Sequence, residues 1–170
     1  MEGVMANEAV ESQFSAVVEA IKRVLQPAGF SKRGRKFRRF SEGNLALIEL
    51  QRSVRSDSAA IQFTINVGIV SGRLLQERGL DLKKVGCSHA HLNERIGFFL
   101  SDPQDKWWEL DDSTEASGAI CEITALIREK VLPFLDRHLP DAGLIDLWKT
   151  GRSPGLTEGQ RVRYLSQLSS

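Results

Sequence analysis

Residues 61–69 read Ile61-Gln62-Phe63-Thr64-Ile65-Asn66-Val67-Gly68-Ile69. Every odd position is apolar, and the even positions are polar or glycine. Successive side chains on a strand point to opposite faces, so this alternation predicts a strand with one buried face. One-sided burial favours antiparallel pairing. A slip of one residue would turn five apolar side chains toward water, so the register is firm.

The segments around this strand supply its neighbours. Lys36 to Phe40 and Leu45 to Arg52 are β-compatible runs, separated by Ser41-Glu42-Gly43-Asn44, which has turn chemistry. Arg95 to Leu100 is a fourth strand candidate, with Ile96, Phe98 and Leu100 on one face. Val10, Phe14, Val17, Val18, Ile21, Val24 and Leu25 recur at helical spacing. Asn7 is the expected N-cap of that helix, and Pro27 with Gly29 ends it. A long helix is expected from about Glu115 to Arg137, capped by Ser113 or Thr114 and kinked just before Pro133. Shorter helices are expected at Arg73–Gly79, at Leu144–Lys149 and from Thr157 onward. The fold class is therefore α+β: an antiparallel sheet of three to four or more strands, with the N-terminal helix and the long C-terminal helix packed on one face.

Composition bounds the remaining possibilities. The chain has 170 residues, 41% hydrophobic and 26% charged, with net charge +1. That fits one domain over 1–170, with a core at about 7–140 and a helical extension at 141–170. The balanced charge gives no global attraction to nucleic acid or anionic lipid. No apolar run approaches the ~20 residues that span a bilayer, and Met1 to Val10 lacks the apolar stretch of a signal peptide. Two cysteines, Cys87 and Cys121, make no disulfide framework. A cytoplasmic location is the expectation.

Several short motifs occur in a fixed order: Gly29-Phe30 after the first helix, Phe37 in a strand, Gln51-Arg52-Ser53, residues 63–69, Arg95-Ile96-Gly97 and Trp107-Trp108. Together, from about Phe14 to about Leu135, they resemble the bacterial family called domain of unknown function 4304. The resemblance implies a bacterial, non-secreted protein. It brings no activity and no catalytic residues.

Four features could carry function. The first is the basic run Lys32, Arg33, Arg35, Lys36, Arg38 and Arg39, which leaves the rest of the chain net acidic. It could bind an acidic protein surface, or RNA or DNA with Phe37 and Phe40 stacking on bases. The plainer reading is a solvated loop and edge strand whose charges block aggregation. The second is Cys87-Ser88-His89-Ala90-His91, where Cys87, His89 and His91 are all zinc-ligand types. On a straight strand His89 and His91 would lie roughly 6.6 Å apart, and Cys87 and His91 about 13 Å apart, so a shared ion needs a bend. The third is Trp107-Trp108, one ring of which could anchor a partner. The fourth is the polar row Gln62, Thr64 and Asn66 beside Glu49 and Gln51, either an open binding surface or covered structure.

No phosphate-binding loop or dinucleotide fingerprint is present. The leading expectation is a non-enzymatic, cytoplasmic protein-binding module without a cofactor, with a toxin-immunity or accessory role as one concrete form. The alternatives are a metal-dependent hydrolase using zinc at His89 and His91, and a nucleic-acid binder through residues 32–39. No membrane association is expected.

Overall fold

The computed structural model describes residues 2–57 and 59–170. Helix α1 (Glu2–Leu25) leads into strands β1 (Ser31–Arg33), β2 (Lys36–Ser41), β3 (Asn44–Arg52) and β4 (Ala60–Ser71). A short helix α2 (Gly72–Gln76) opens a long connection to β5 (Leu92–Arg95) and β6 (Trp108–Asp111). Helices α3 (Ala116–Leu126), α4 (Leu132–His138), α5 (Asp141–Lys149) and α6 (Glu158–Ser169) complete the chain.

The sheet is antiparallel throughout, in the order β1-β2-β3-β4. Strand β4 is twelve residues long, and its far edge is shared: β6 pairs with Ala60–Phe63 and β5 with Asn66–Ile69. The alternation at 61–69 is what the strand uses. Ile61, Phe63, Ile65, Val67 and Ile69 face the main core beside Ala46, Ile48 and Leu50 of β3. Phe63 is gripped between Phe14 of α1, edge-on at 5.3 Å, and Trp108 of β6, stacked at 5.7 Å. Helix α1 buries the stripe its spacing announced. Gly29 ends it at φ +92°, which lets the Phe30 N–H donate to the Leu25 carbonyl at 3.1 Å.

Residues 141–170 pack into the same core. Leu144, Trp148, Tyr164 and Leu168 belong to the cluster that includes Ile69 and Leu92. Helix α6 begins with a capping box built by Thr157 and Gln160. No described helix is long and apolar enough to cross a membrane.

The opposite face of the sheet is only half covered. Leu45, Leu47 and Val70 form a second apolar cluster with Leu75, Val85 and Cys87 from the connection after β4. Gly68 permits the crossing, because a Cβ there would lie 3.1 Å from the Ala90 Cβ and 3.2 Å from the Cys87 Sγ. Beyond this cover the face is polar and open.

Several expectations are corrected. Helix α1 runs from Glu2, ahead of the expected start at Asn7, whose side chain lies outside the described residues. Arg95–Leu100 is not a strand: the strand is Leu92–Arg95, and Ile96–Phe99 is a 3-10 turn. Gly97 explains the difference, since its backbone nests against residues 104–106 where a Cβ would meet the Gln104 carbonyl. The long helix is interrupted by a π-helical segment, Ile127–Val131, ahead of Pro133. Its N-cap is Glu115. Ser113 and Thr114 instead donate their hydroxyls to the Asp111 carboxylate at 2.7 and 2.6 Å, closing the turn after β6. Trp107 lies just outside β6, and Cys87–His89 is a 3-10 turn, not part of a strand.

Candidate functional site

The open half of the outer face is a hollow of about 700 Å3. Its floor carries Glu49 and Gln51 of β3 and Asn66 of β4, and its walls carry Arg35, Ser88, Asn93 and Arg95. The polar row is partly engaged with itself. Asn66 donates to Gln51 at 2.9 Å, Gln62 to Glu109 at 2.7 Å, and Thr64 to the Lys106 carbonyl at 2.7 Å. These bonds fix the surface and leave Gln51 exposed.

A second hollow, of about 570 Å3, adjoins the first across Glu49. It is lined by Arg33, Lys36, Arg38, Lys83 and Lys84. Two elements supply these cations: the β1–β2 hairpin and the 3-10 turn Leu82–Lys84. Arg33, Arg35, Lys36, Lys83 and Lys84 are exposed, and none takes part in an ion pair among the described residues. Lys83 and Lys84 were not singled out in the sequence. They lie more than forty positions from the hairpin, and only the folded connection brings them to it.

The other two arginines of the run are held within the chain. Arg38 donates to the Leu82 carbonyl at 3.1 Å and covers the Phe40 ring at 5.1 Å. Arg39 donates to the Ala28 carbonyl at 3.1 Å, pairs with Asp136 at 2.6 Å and lies over Phe30 at 5.0 Å. Phe37 is in the core, whereas Phe40 is half exposed.

The two tryptophans separate. Trp108 is buried against Phe63, while half-buried Trp107 lies under Arg95 at 5.1 Å and donates to Asp105 at 3.2 Å. Trp107 lines a third hollow, of about 460 Å3, with Arg55, Gln62 and Glu109.

Cys87, His89 and His91 are not brought together as a ligand set; among the described residues no group of three or more His, Cys, Asp and Glu side chains is placed to hold a metal ion. Cys87 is buried in the outer apolar cluster, and its N–H donates to Glu49. Burial first, and the Glu49 charge second, push its thiol well above the usual range, whereas a metal requires the thiolate. His91 is fully buried beside Tyr164, and its Nδ1 accepts from the Ser71 N–H at 3.0 Å. Burial, reinforced by Arg78, lowers its pKa to about 4, so it is neutral at physiological pH. His89 is half-buried, with Nδ1 3.2 Å from the Ser88 hydroxyl.

The Domain of unknown function (DUF4304) family model matches residues 21–137, well over half of the chain. The chain belongs to the DUF4304 family. The matched DUF4304 region runs from the end of α1 through the whole sheet into α4, and it contains every cation that lines the first two hollows, although Gly155 of the first hollow lies outside it. A search of curated proteins and a search of solved structures each found no match.

Proposed function

We propose that this DUF4304 chain is a non-enzymatic module that binds an acidic protein surface through the open half of its sheet. The observation that carries this reading is the convergence of Arg33, Arg35, Lys36, Lys83 and Lys84 around two adjoining hollows, with no ion-pair partner within the described chain. Exposed cations without partners are placed to steer and orient a negatively charged surface. The amides of Gln51, Asn66 and Asn93 add hydrogen-bonding groups beside them.

One feature favours protein over nucleic acid. Stacking on bases requires exposed aromatic faces, but Phe37 is buried and Phe40 lies against Arg38. Both cysteines are free, which suits a reducing compartment such as the cytoplasm.

The test is capture of partners by the native protein beside an Arg33→Glu, Arg35→Glu, Lys36→Glu variant, with and without nuclease. One protein partner that survives nuclease and is lost with the variant supports the reading. Recovery abolished by nuclease would move the assignment to nucleic acid, and equal capture by both proteins would contradict it.

A further inference from the structure

On the core side of β5 lies another pocket, of about 330 Å3, which shares Glu94 with the first hollow. The local sequence explains how it forms. The 3-10 turn Ile96–Phe99 brings Phe98 and Phe99 to one wall. The π-helical segment before Pro133 starts a new helical register, and in α4 Phe134 and His138 then share a face at i, i+4. Phe99 packs edge-on against Phe134 at 5.1 Å, and Phe134 lies 4.6 Å from the His138 ring. Phe98 remains 46% exposed at the mouth.

The charges in this lining are Arg137, Arg152 and Glu94. Neither arginine takes part in an ion pair among the described residues. Arg137, Arg152 and Glu94 line this one cavity together, beside His138. The His138 Nδ1 lies 3.0 Å from the Gly143 carbonyl. That contact assigns the proton to Nδ1 and leaves Nε2 as an acceptor. Gly143 is needed for it, because a Cβ there would strike the Arg137 carbonyl.

We propose that this pocket binds an aromatic amino acid in its zwitterionic form. The two guanidinium groups take the carboxylate, for which arginine is the best-matched side chain. Glu94 takes the ammonium group. The phenylalanine walls take the ring, edge or face, as aromatic pairs prefer. The volume falls in the range of small-molecule sites. A zwitterionic aromatic amino acid complements the two cations, the carboxylate and the aromatic wall together.

The experiment is isothermal titration of the full-length chain with L-phenylalanine, 3-phenylpropionate, which lacks the ammonium, and phenethylamine, which lacks the carboxylate. Saturable one-to-one binding of L-phenylalanine, at least tenfold tighter than either truncated analogue, is expected. Arg137→Gln combined with Arg152→Gln should weaken L-phenylalanine binding tenfold or more. Glu94→Gln should weaken L-phenylalanine but leave 3-phenylpropionate unchanged or tighter. Both arginines are exposed, and circular dichroism checks that each variant folds. Absence of saturable L-phenylalanine binding, or equal binding of all three compounds, would overturn the proposal. So would affinity unchanged in the variants.

Discussion

Arg38 and Arg39 are consecutive residues whose guanidinium groups are held on opposite faces of the sheet. Arg38 reaches the Leu82 carbonyl on the outer face, and Arg39 reaches Ala28 and Asp136 at the rim of the core. A single basic run therefore contains two kinds of residue. Arg39, with its side chain only 16% exposed, ties the turn after α1 to α4. Arg39→Ala should cost about 1–3 kcal/mol, because it removes a largely covered side chain with its packing over Phe30 and its part-buried hydrogen bond to the Ala28 carbonyl. Arg33→Ala, Arg35→Ala and Lys36→Ala should each stay within about 0.5 kcal/mol. Urea denaturation of the four variants checks this. Equal effects across the run would contradict the division.

His91 makes stability sensitive to acid. Its folded pKa, about 4, lies below the ordinary value of 6.5. Between those two values the unfolded chain binds the proton that the folded chain refuses, so stability rises with pH in that window. Acidification from pH 6.5 toward pH 4 should therefore remove stability, by roughly 3 kcal/mol from this group alone. Asp111 and Glu158 also have lowered pKa values, through hydrogen bonds to Thr114 and Arg161 respectively, and they too lose stabilisation in acid. Comparison with His91→Asn, which keeps an acceptor for the Ser71 N–H, cancels those contributions. The variant should show a shallower loss of stability in acid than the wild type. Parallel pH profiles would contradict the assignment.

Asn44 joins the start of β3 to the α4–α5 corner. Its amide donates to the Leu139 carbonyl at 2.7 Å and to Asp141 at 2.9 Å, and its oxygen accepts from the Gly72 N–H at 3.0 Å. Asn44→Ala should cost about 3 kcal/mol, because it leaves buried partners unpaired. Asn44→Asp should cost more, since it sets a carboxylate against Asp141 and a carbonyl oxygen. Thermal unfolding of both variants gives the order, and a milder effect of Asn44→Asp would contradict this geometry.

Phe63 is the aromatic centre of the core. Truncation to alanine opens a cavity between Phe14 and Trp108 and should cost about 3–5 kcal/mol. Trp107→Ala, at the half-buried neighbour, should cost about 1 kcal/mol or less. Chemical denaturation of the two variants would reveal any reversal of that order.

The fold was legible where one face of an element is apolar and the other polar. Residues 61–69 and the α1 stripe gave both strand face and helix face, because one-sided burial imposes a periodic pattern. Ile96, Phe98 and Leu100 misled because their spacing mimics a strand, while the decisive fact is the close approach of the Gly97 backbone to residue 104. Cover on the outer face was partly readable: Leu45 and Leu47 are apolar on the same face as Gln51 and Asn66. The candidate site was readable only in its hairpin. Lys83 and Lys84 join it through long-range folding that leaves no local pattern, and nothing in the basic run distinguishes bound Arg39 from free Arg35.

The unpaired cations of the hairpin are proposed to bind an acidic protein surface. The most direct measurement is the affinity of the captured partner across a salt series, for wild type and for the Arg33→Glu, Arg35→Glu, Lys36→Glu variant. The account predicts wild-type binding that weakens steadily as salt rises, at least a tenfold loss in the variant, and unchanged fold stability. Affinity independent of salt and equal in both proteins would contradict it.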